Sequence, residues 1–410
     1  MINVGIGFAT GRKNFRKVLK TYIYNWHEAG LIENENIRLN LFVAYDLEYS
    51  KTQVSDYTQV RPDLLSKLDG VHFIGKKSIQ SDIKALAEAN IIDEKQAQTL
   101  FGRGYAAMRN IILYTALKNK MDYLIFLDDD EYPLAVTKTR ATAIWSGQFV
   151  IPSHLKYIQQ ADLTNGHHCG YISPIPTITF NDILSEADFR IFIEAISNDI
   201  VNWDTIRATM QNGGVTYADP KVLVSEEVEE VQETNGAKFI SGANLCINLT
   251  NPRRIFPFYN PPGARGEDTF LSTCLSKRKV LRIPTYAFHD GFSTYQHLLD
   301  GVLPIQLNPI QGNVEANIAR FYQACLGWIR YKPLLLYITQ RDNYESKIKE
   351  MRGQLTDTLP KICAYFRCDD FMKISSELDS YHKNVRKHYR EFQQNQQTWF
   401  NIVSYRFEVN

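Results

Sequence analysis

Residues 121–133 read MDYLIFLDDDEYP and join a buried-strand pattern to a cluster of acids. The run Tyr123–Leu127 is mostly apolar, which is typical of a strand inside a sheet. Asp128, Asp129 and Asp130 follow at once. Clustered carboxylates at the end of such a strand are costly unless a cation neutralises them, and their hard oxygens suit Mg²⁺ or Mn²⁺. The stretch therefore favours a metal site. The alternative is a solvated acidic turn after an edge strand.

The composition describes a chain of 410 residues with a formal charge of +1 and 22 % charged residues. This length accommodates one large core and a smaller one. Because the charges are balanced, no global field favours nucleic acid as a partner. The six cysteines contain no CxxC pair, which indicates free thiols in a reducing compartment. The sequence has neither a secretory h-region nor a run of 18 apolar residues, so we expect a cytoplasmic chain without a membrane span.

Strand and helix patterns alternate ahead of the acidic stretch. Ile2–Phe8 and Leu39–Tyr45 have strand patterns, and apolar residues at helical spacing run between them to about Ala29. Val71–Ile74 is a weaker third strand. A strand–helix–strand order predicts a parallel sheet with ligands at the carboxyl ends of its strands.

Two later segments place charged residues near the predicted starts of helices. Residues 101–118 (FGRGYAAMRNIILYTALK) place glycines before a helix, with Arg109 in an early turn where it can approach a phosphate. A plain loop is the alternative there. Residues 260–271 deliver Glu267 and Asp268 to the start of an apolar helix. These acids either cap the helix or form a catalytic pocket. The segment 167–170 (HHCG) lacks zinc spacing and predicts a turn on the acceptor side.

Taken together, these segments resemble the nucleotide-sugar-dependent glycosyltransferases of the GT-A type, nearest to the large family 2. The resemblance covers roughly residues 1–295. Its landmarks occur in the family's order: the opening strand with its loop, Asp46 after the second strand, the Gly-x-Gly helix with Arg109-Asn110, the strand ending in Asp128–Asp130, the segment Gly266–Leu271, and the strand-end His289.

The resemblance implies an α/β fold of the GT-A type, which is a Rossmann-like, mostly parallel central sheet flanked by helices. The catalytic domain would cover residues 1–300, with a nucleotide-binding half at 1–135 and an acceptor-binding half at 136–300. Residues 301–410 change to helical patterns, and we expect an α-helical C-terminal appendage. Its basic stretch HKNVRKHYR has two interpretations. One is peripheral contact with anionic lipid at the inner face of a membrane. The other, which the upstream acids favour, is a solvated or oligomerising face.

The resemblance also implies a donor site for a nucleotide sugar, with a UDP-sugar favoured. The residues that would border the nucleotide or contact the donor are Ala9, Thr10, Arg12, Asp46, Arg103 and Arg109. Among them, Asp46 would accept a hydrogen bond from the uracil or the ribose.

The acidic cluster would hold Mn²⁺ or Mg²⁺ in this resemblance. Asp128 and Asp130 match the family's Asp-x-Asp, which contacts the ribose and the metal on the diphosphate. Asp129 with Asp130 would serve equally, because three aspartates leave the register open. His289 matches a position that is a further metal ligand in some relatives.

For catalysis, Asp268 matches the general base of inverting members, and Glu267 would support it or bind the acceptor. The predicted function is metal-dependent transfer of a sugar to an acceptor hydroxyl in polysaccharide or glycoconjugate synthesis, with inversion favoured. The alternatives are a retaining GT-A enzyme, a nucleotidyltransferase, and a non-catalytic sugar-binding module that kept the fold.

Overall fold

The computed structural model describes residues 1–75, 77–197, 203–293 and 296–407. In this part of the chain the strands form a nine-stranded mixed sheet and a separate two-stranded hairpin. The strands are β1 (Ile2–Thr10), β2 (Ile37–Tyr45), β3 (Gly70–Ile74), β4 (Tyr123–Leu127), β5 (Glu131–Tyr132), β6 (Leu134–Lys138), β7 (Ala143–Gly147), β8 (Leu163–Tyr171), β9 (Glu229–Glu230), β10 (Leu245–Asn248) and β11 (Val280–Asp290).

Helices alternate with the strands of the sheet in the sequence, and four more follow the last strand. They are α1 (Phe15–Glu28), α2 (Ser55–Thr58), α3 (Pro62–Leu65), α4 (Gln80–Glu88), α5 (Glu94–Phe101), α6 (Tyr105–Lys118), α7 (Val150–Tyr157), α8 (Glu186–Ile196), α9 (Trp203–Gln211), α10 (Pro220–Val224), α11 (Glu267–Ser272), α12 (Glu315–Thr339), α13 (Tyr344–Phe366), α14 (Lys373–Lys383) and α15 (Val385–Phe407). Short 3-10 turns occur at Ile158–Gln160, Pro252–Arg254, Gln296–Asp300, Arg341–Asn343 and Asp369–Met372.

The first four strands confirm the predicted parallel unit. β1 pairs in parallel with β2 and with β4, and β2 pairs in parallel with β3. α1 buries its apolar face on β1, where the rings of Phe8 and Phe15 meet edge to face at 5.4 Å. Because β2 and β4 lie on opposite sides of β1, the strand order reverses there. Ligands of open α/β sheets bind outside the carboxyl ends of strands at such a point.

The prediction of a mostly parallel sheet is wrong. β10 lies antiparallel between β4 and β8, and β11 pairs in parallel with β8 but antiparallel with β5 and β9. Within the described residues, four ladders of this sheet are parallel and four are antiparallel. Side-chain periodicity marks a strand but not its direction. The crossover helices that set the direction are readable only in the first third of the chain.

The segment with two adjacent histidines also differs from its prediction. The expected turn at 167–170 lies inside β8, where His167 and His168 pair with Tyr286 and Ala287 of β11. α4 and α5 are separate helices, and Asn90 between them has a φ of 56°. Residues 198–202, between α8 and α9 in the sequence, lie outside the described residues.

The C-terminal helices contribute to the core of the α/β part. Trp399, Ile402 and Val403 of α15 are fully buried in one apolar cluster with side chains of α6 and β4. The indole Nε1 of Trp399 donates to the carbonyl of Ile255 at 3.1 Å. The helical region is therefore packed into the body of the molecule, and the term appendage understates this contact.

α12 is 25 residues long, but charged side chains interrupt its apolar residues. Arg320, Arg330 and Lys332 all belong to it. Lys332 is buried and donates from Nζ to the carbonyl of Glu194 at 3.0 Å, so this cation is satisfied inside the protein. None of the helices in the described ranges has the length and apolar character needed to cross a bilayer.

We expect Trp399→Ala to destabilise the whole protein by about 3–5 kcal/mol, because it opens a cavity shared by α15 and the α/β part. The free energy of unfolding from urea denaturation measures this. Tyr405→Ala on the same helix is the matched control, because that ring is exposed. A loss for Trp399→Ala no larger than for Tyr405→Ala would contradict the shared core.

Candidate functional site

The acidic turn is clamped between two strands of the sheet. Asp128, Asp129 and Asp130 connect β4 to β5, and β5 pairs with the end of β11 through His289. The backbone N–H of Asp290 donates to the carbonyl of Asp130 at 2.9 Å. Asp129 is only 5 % exposed and Asp130 only 8 %. This burial excludes the solvated acidic turn.

Asp129 is held by residues that follow β1. The hydroxyl of Thr10 donates to Asp129 Oδ2, and Arg12 Nε lies 3.2 Å from Asp129 Oδ1. Both carboxylate oxygens therefore have a partner within the chain. Burial raises the pKa of Asp129 to about 7, although Arg12 and the hydrogen bond from Thr10 favour its ionised form.

Asp130 lies between two basic side chains. Arg12 Nη2 is 2.8 Å from Asp130 Oδ2, and His289 Nε2 is 3.5 Å from the same oxygen. Burial would raise the pKa of Asp130, but His289, Arg12 and Arg320 outweigh burial and hold it below its usual value. His289 Nδ1 donates to the carbonyl of Tyr171 at 2.8 Å. This bond leaves Nε2 as the ring nitrogen that lies nearest Asp130.

Arg109 connects the acidic turn to the loop before α11. Its guanidinium is 3 % exposed, and it lies 3.0 Å from Asp128 Oδ1 through Nη2 and 3.3 Å from Glu267 Oε1 through Nε. Nη1 donates to the carbonyl of Gly242. Burial would lower the pKa of Arg109, but Asp128 and Glu267 outweigh it and raise the pKa. The side chain of Asp128 is only partly shielded from water, and desolvation together with the charges of Glu131 and Asp130 raises its pKa to about 6, against the opposing effect of Arg109.

Asp268 follows in the first turn of α11 and is held by two backbone groups. Its Oδ2 accepts from the N–H of Gly242 at 3.1 Å, and its Oδ1 from the N–H of Thr269 at 2.8 Å. Burial and the charge of Glu267 raise the pKa of Asp268 to about 6. A Cβ on Gly242 would lie 3.0 Å from Arg109 Nη2, so glycine allows the backbone to approach both side chains. The contact with Thr269 is a local contact inside the first turn of α11, and the catalytic interpretation requires that the carboxylate also face the acceptor.

A cavity of about 210 Å³ lies beside the carboxyl ends of β2 and β3. Asp46, Gly102 and Arg103 are among the residues that line it. Asp46 Oδ1 accepts from the N–H of Glu48 at 2.9 Å, and Arg103 Nη1 lies 3.3 Å from Glu48 Oε2. The lining of this cavity thus includes one carboxylate and one cation, and the donor site expected there stays a prediction.

The structure therefore brings together most of the predicted site residues in one cluster: Thr10, Arg12, Arg109, Asp128, Asp129, Asp130, Glu267, Asp268 and His289. Asp46 and Arg103 line the neighbouring cavity instead. The side chain of Ala9 is 2 % exposed and packs in the apolar core, so it does not border either place.

Two further residues of the cluster were missed by the sequence analysis. His168 Nε2 lies 3.0 Å from Glu131 Oε1, and both side chains are largely buried. Burial raises the pKa of Glu131 to about 7, and burial with the charge of Arg282 lowers that of His168 to about 4, which favours an uncharged pair. In the sequence, only the HHCG motif pointed to His168. Its position in the cluster depends on the pairing of β8 with β11, which the motif does not predict.

The donor set suits a hard divalent cation only in part. Asp130 and His289 converge, and Asp128 keeps an oxygen that no described contact of Arg109 uses. Over the described ranges, however, no three His, Cys, Asp or Glu side chains form a group placed to hold a metal ion. The cluster thus offers a cation few protein ligands, and Mg²⁺ sites with one or two carboxylates take their remaining ligands from water and substrate phosphates.

We expect Arg109→Met to destabilise the protein by about 3–5 kcal/mol, because Asp128 and Glu267 would be left close together without the buried cation. Chemical denaturation at pH 7 measures the loss. Arg61→Met is the control, because it removes an exposed arginine that pairs with Asp63 and should leave stability unchanged. Equal losses for both variants would rule out the bridging role of Arg109.

Comparison with known proteins leaves the site to be interpreted from its own chemistry. No protein-family model matches the sequence, and no curated protein matches it. The resemblance to the GT-A glycosyltransferases thus stays a prediction.

Proposed function

We propose that this protein is a metal-dependent glycosyltransferase of the GT-A type, which moves a sugar from a nucleotide diphosphate donor, favoured as a UDP-sugar, to an acceptor hydroxyl. The acceptor is a carbohydrate or glycoconjugate, and inversion is favoured. The observation that carries the proposal is the bridge of Arg109. It links Asp128, at the carboxyl end of β4, to Glu267, which directly precedes Asp268. The aspartate expected to bind the donor and the candidate base are thereby held close together, at the carboxyl ends of the strands where the strand order reverses.

The contacts of the three aspartates favour one register for the metal and ribose pair. Asp129 already uses both oxygens on Thr10 and Arg12, whereas the side chain of Asp128 is 30 % exposed. Asp128 and Asp130 therefore suit the Asp-x-Asp roles, and Asp129 suits a structural role. Asp130 and His289 would hold the cation, which when bound supplies electrostatic stabilisation of the diphosphate.

The chain's own residues supply the remaining chemistry. Transfer breaks the bond between the anomeric carbon and a phosphate oxygen, and the electron pair stays on the diphosphate. The acceptor oxygen bonds to the anomeric carbon, and its proton passes to Asp268. Two backbone N–H groups orient that carboxylate, and its pKa of about 6 leaves it ionised at neutral pH. A positioned base of this kind contributes about 10²–10⁴-fold to the rate.

Nucleotide binding should depend on the metal. We expect UDP or another nucleoside diphosphate to raise the melting temperature with Mn²⁺ and to lose this effect in EDTA, because a ligand of the native state stabilises it by about 2.7 kcal/mol at 100 times its Kd. A thermal-shift panel of UDP, GDP and CDP, each with Mn²⁺, Mg²⁺ or EDTA, measures this.

In the same panel, Asp130→Ala should abolish the metal-dependent shift, and the exposed Asp357→Ala should retain it. Two results would each count against the proposal. The first is a wild-type protein without a shift for any nucleotide. The second is a shift that persists in Asp130→Ala.

Catalysis should depend on the ionised form of Asp268. We expect Asp268→Asn to keep the nucleotide-dependent thermal shift while its turnover falls by about 10²–10⁴-fold. In the wild type, kcat/KM should fall about tenfold per pH unit below pH 6 and level off above it, because protonation of Asp268 removes the base. Rates measured from pH 5 to 8 with the donor that the panel identifies test this.

Thr273→Val on the same short segment is a control that changes a hydroxyl and leaves the carboxylates in place. Unaltered turnover in Asp268→Asn would remove Asp268 from the mechanism, while the nucleotide-binding result would still stand.

A further inference from the structure

The helical region contributes a cation to the acidic cluster. Arg320 lies on α12, about 190 residues from Asp130 in sequence, yet its charge acts on both Asp130 and Arg12. Its guanidinium lies 4.9 Å over the ring of Phe292. A Cβ on Gly291 would lie 3.0 Å from Arg320 Nη2 and 2.7 Å from His289 Cε1. Arg320 is therefore next to His289, at the edge of the cluster that faces α12.

This arginine is poorly satisfied where it lies. Its Nε is buried and has no hydrogen-bond partner in the described part of the chain. Arg12 and Arg265 bear like charges near it, and Asp130 and Tyr49 are the nearer groups that favour its charged form. A buried donor without an acceptor costs free energy, and convergent arginines repel one another. An anion beside Arg320 would relieve both costs.

α12 also supports the loop that carries the candidate base. The stem of Arg265 packs across Gly327, where a Cβ would meet its Cδ at 3.3 Å. Arg330 Nη1 donates to the carbonyl of Gly263 at 3.1 Å. Arg320 and the loop before Asp268 thus both contact α12 residues or belong to α12, so one helix links the cation at His289 to the loop that carries the candidate base.

We propose that Arg320 is a further catalytic residue that binds the donor diphosphate from the side of α12. This inference rests on the proposed function. A guanidinium donates two parallel hydrogen bonds to phosphate oxygens, which fixes their position as well as their charge. When the bond to the anomeric carbon breaks, the electron pair stays on the leaving diphosphate, and Arg320 stabilises the charge that develops there.

The test separates binding of the second phosphate from binding of the rest of the nucleotide. Calorimetric titration with UDP and GDP, and with UMP and GMP, is done in Mn²⁺ on the full chain. Arg320→Gln should weaken binding of the preferred diphosphate by about 10- to 100-fold and change that of its monophosphate by less than about threefold. Its kcat should fall as well, and Arg320→Lys should recover part of both losses because it keeps the charge.

Arg341→Gln is the matched control. Arg341 also stacks on aromatic rings, 3.5 Å from the centroid of Tyr337, but it lies beyond the far end of α12, roughly 30 Å along the helix axis. It should bind and turn over like the wild type, and unchanged melting temperatures would confirm that the variants fold. If Arg320→Gln keeps the wild-type preference for diphosphate over monophosphate, the role of Arg320 is wrong while the proposed function stands. If the wild type binds neither diphosphate, both fail.

Discussion

The buried guanidinium of Arg109 joins three segments that are far apart in the chain. It contacts Asp128 after β4, Glu267 at the start of α11, and the carbonyl of Gly242 between them in sequence. Phe126 and Phe258 face it at 5.1 and 5.6 Å, so the cation is shielded from water on its aromatic sides. Carboxylates that would otherwise repel each other are thereby held close at the edge of the sheet. The position of Asp268 follows from this contact.

The mixed sheet explains why the acids meet where they do. Parallel pairing of β1 with β4 brings Thr10 and Arg12 beside the acidic turn, and antiparallel pairing of β5 with β11 brings His289 to its other side. A turn fixed from both sides cannot relax into solvent, so its charges must be balanced by neighbours. Arg12, His289 and the more distant Arg320 supply that balance within the chain.

The C-terminal helices have two roles in this arrangement. α15 completes the core through Trp399, and α12 supports the loop before Asp268 while it directs Arg320 at the acidic cluster. In a glycosyltransferase, such a helix would couple the packing of the C-terminal region to the geometry of the leaving group. Changes in the helical region would then reach the site without any contact with the acceptor.

The sequence by itself determined the first βαβ unit, the strand that ends in three aspartates, and the presence of acids in the first turn of α11. These features arise from local periodicity and from the residue types that follow a strand or begin a helix. His289 was singled out only through the resemblance to the GT-A glycosyltransferases. Only the tertiary structure decided that β10 runs antiparallel, that the histidines of β8 lie in a strand, that Asp46 borders a separate cavity, and that Arg320 of α12 lies close to His289. These outcomes depend on strand direction and on contacts between residues far apart in the chain, and local patterns carry no information about either.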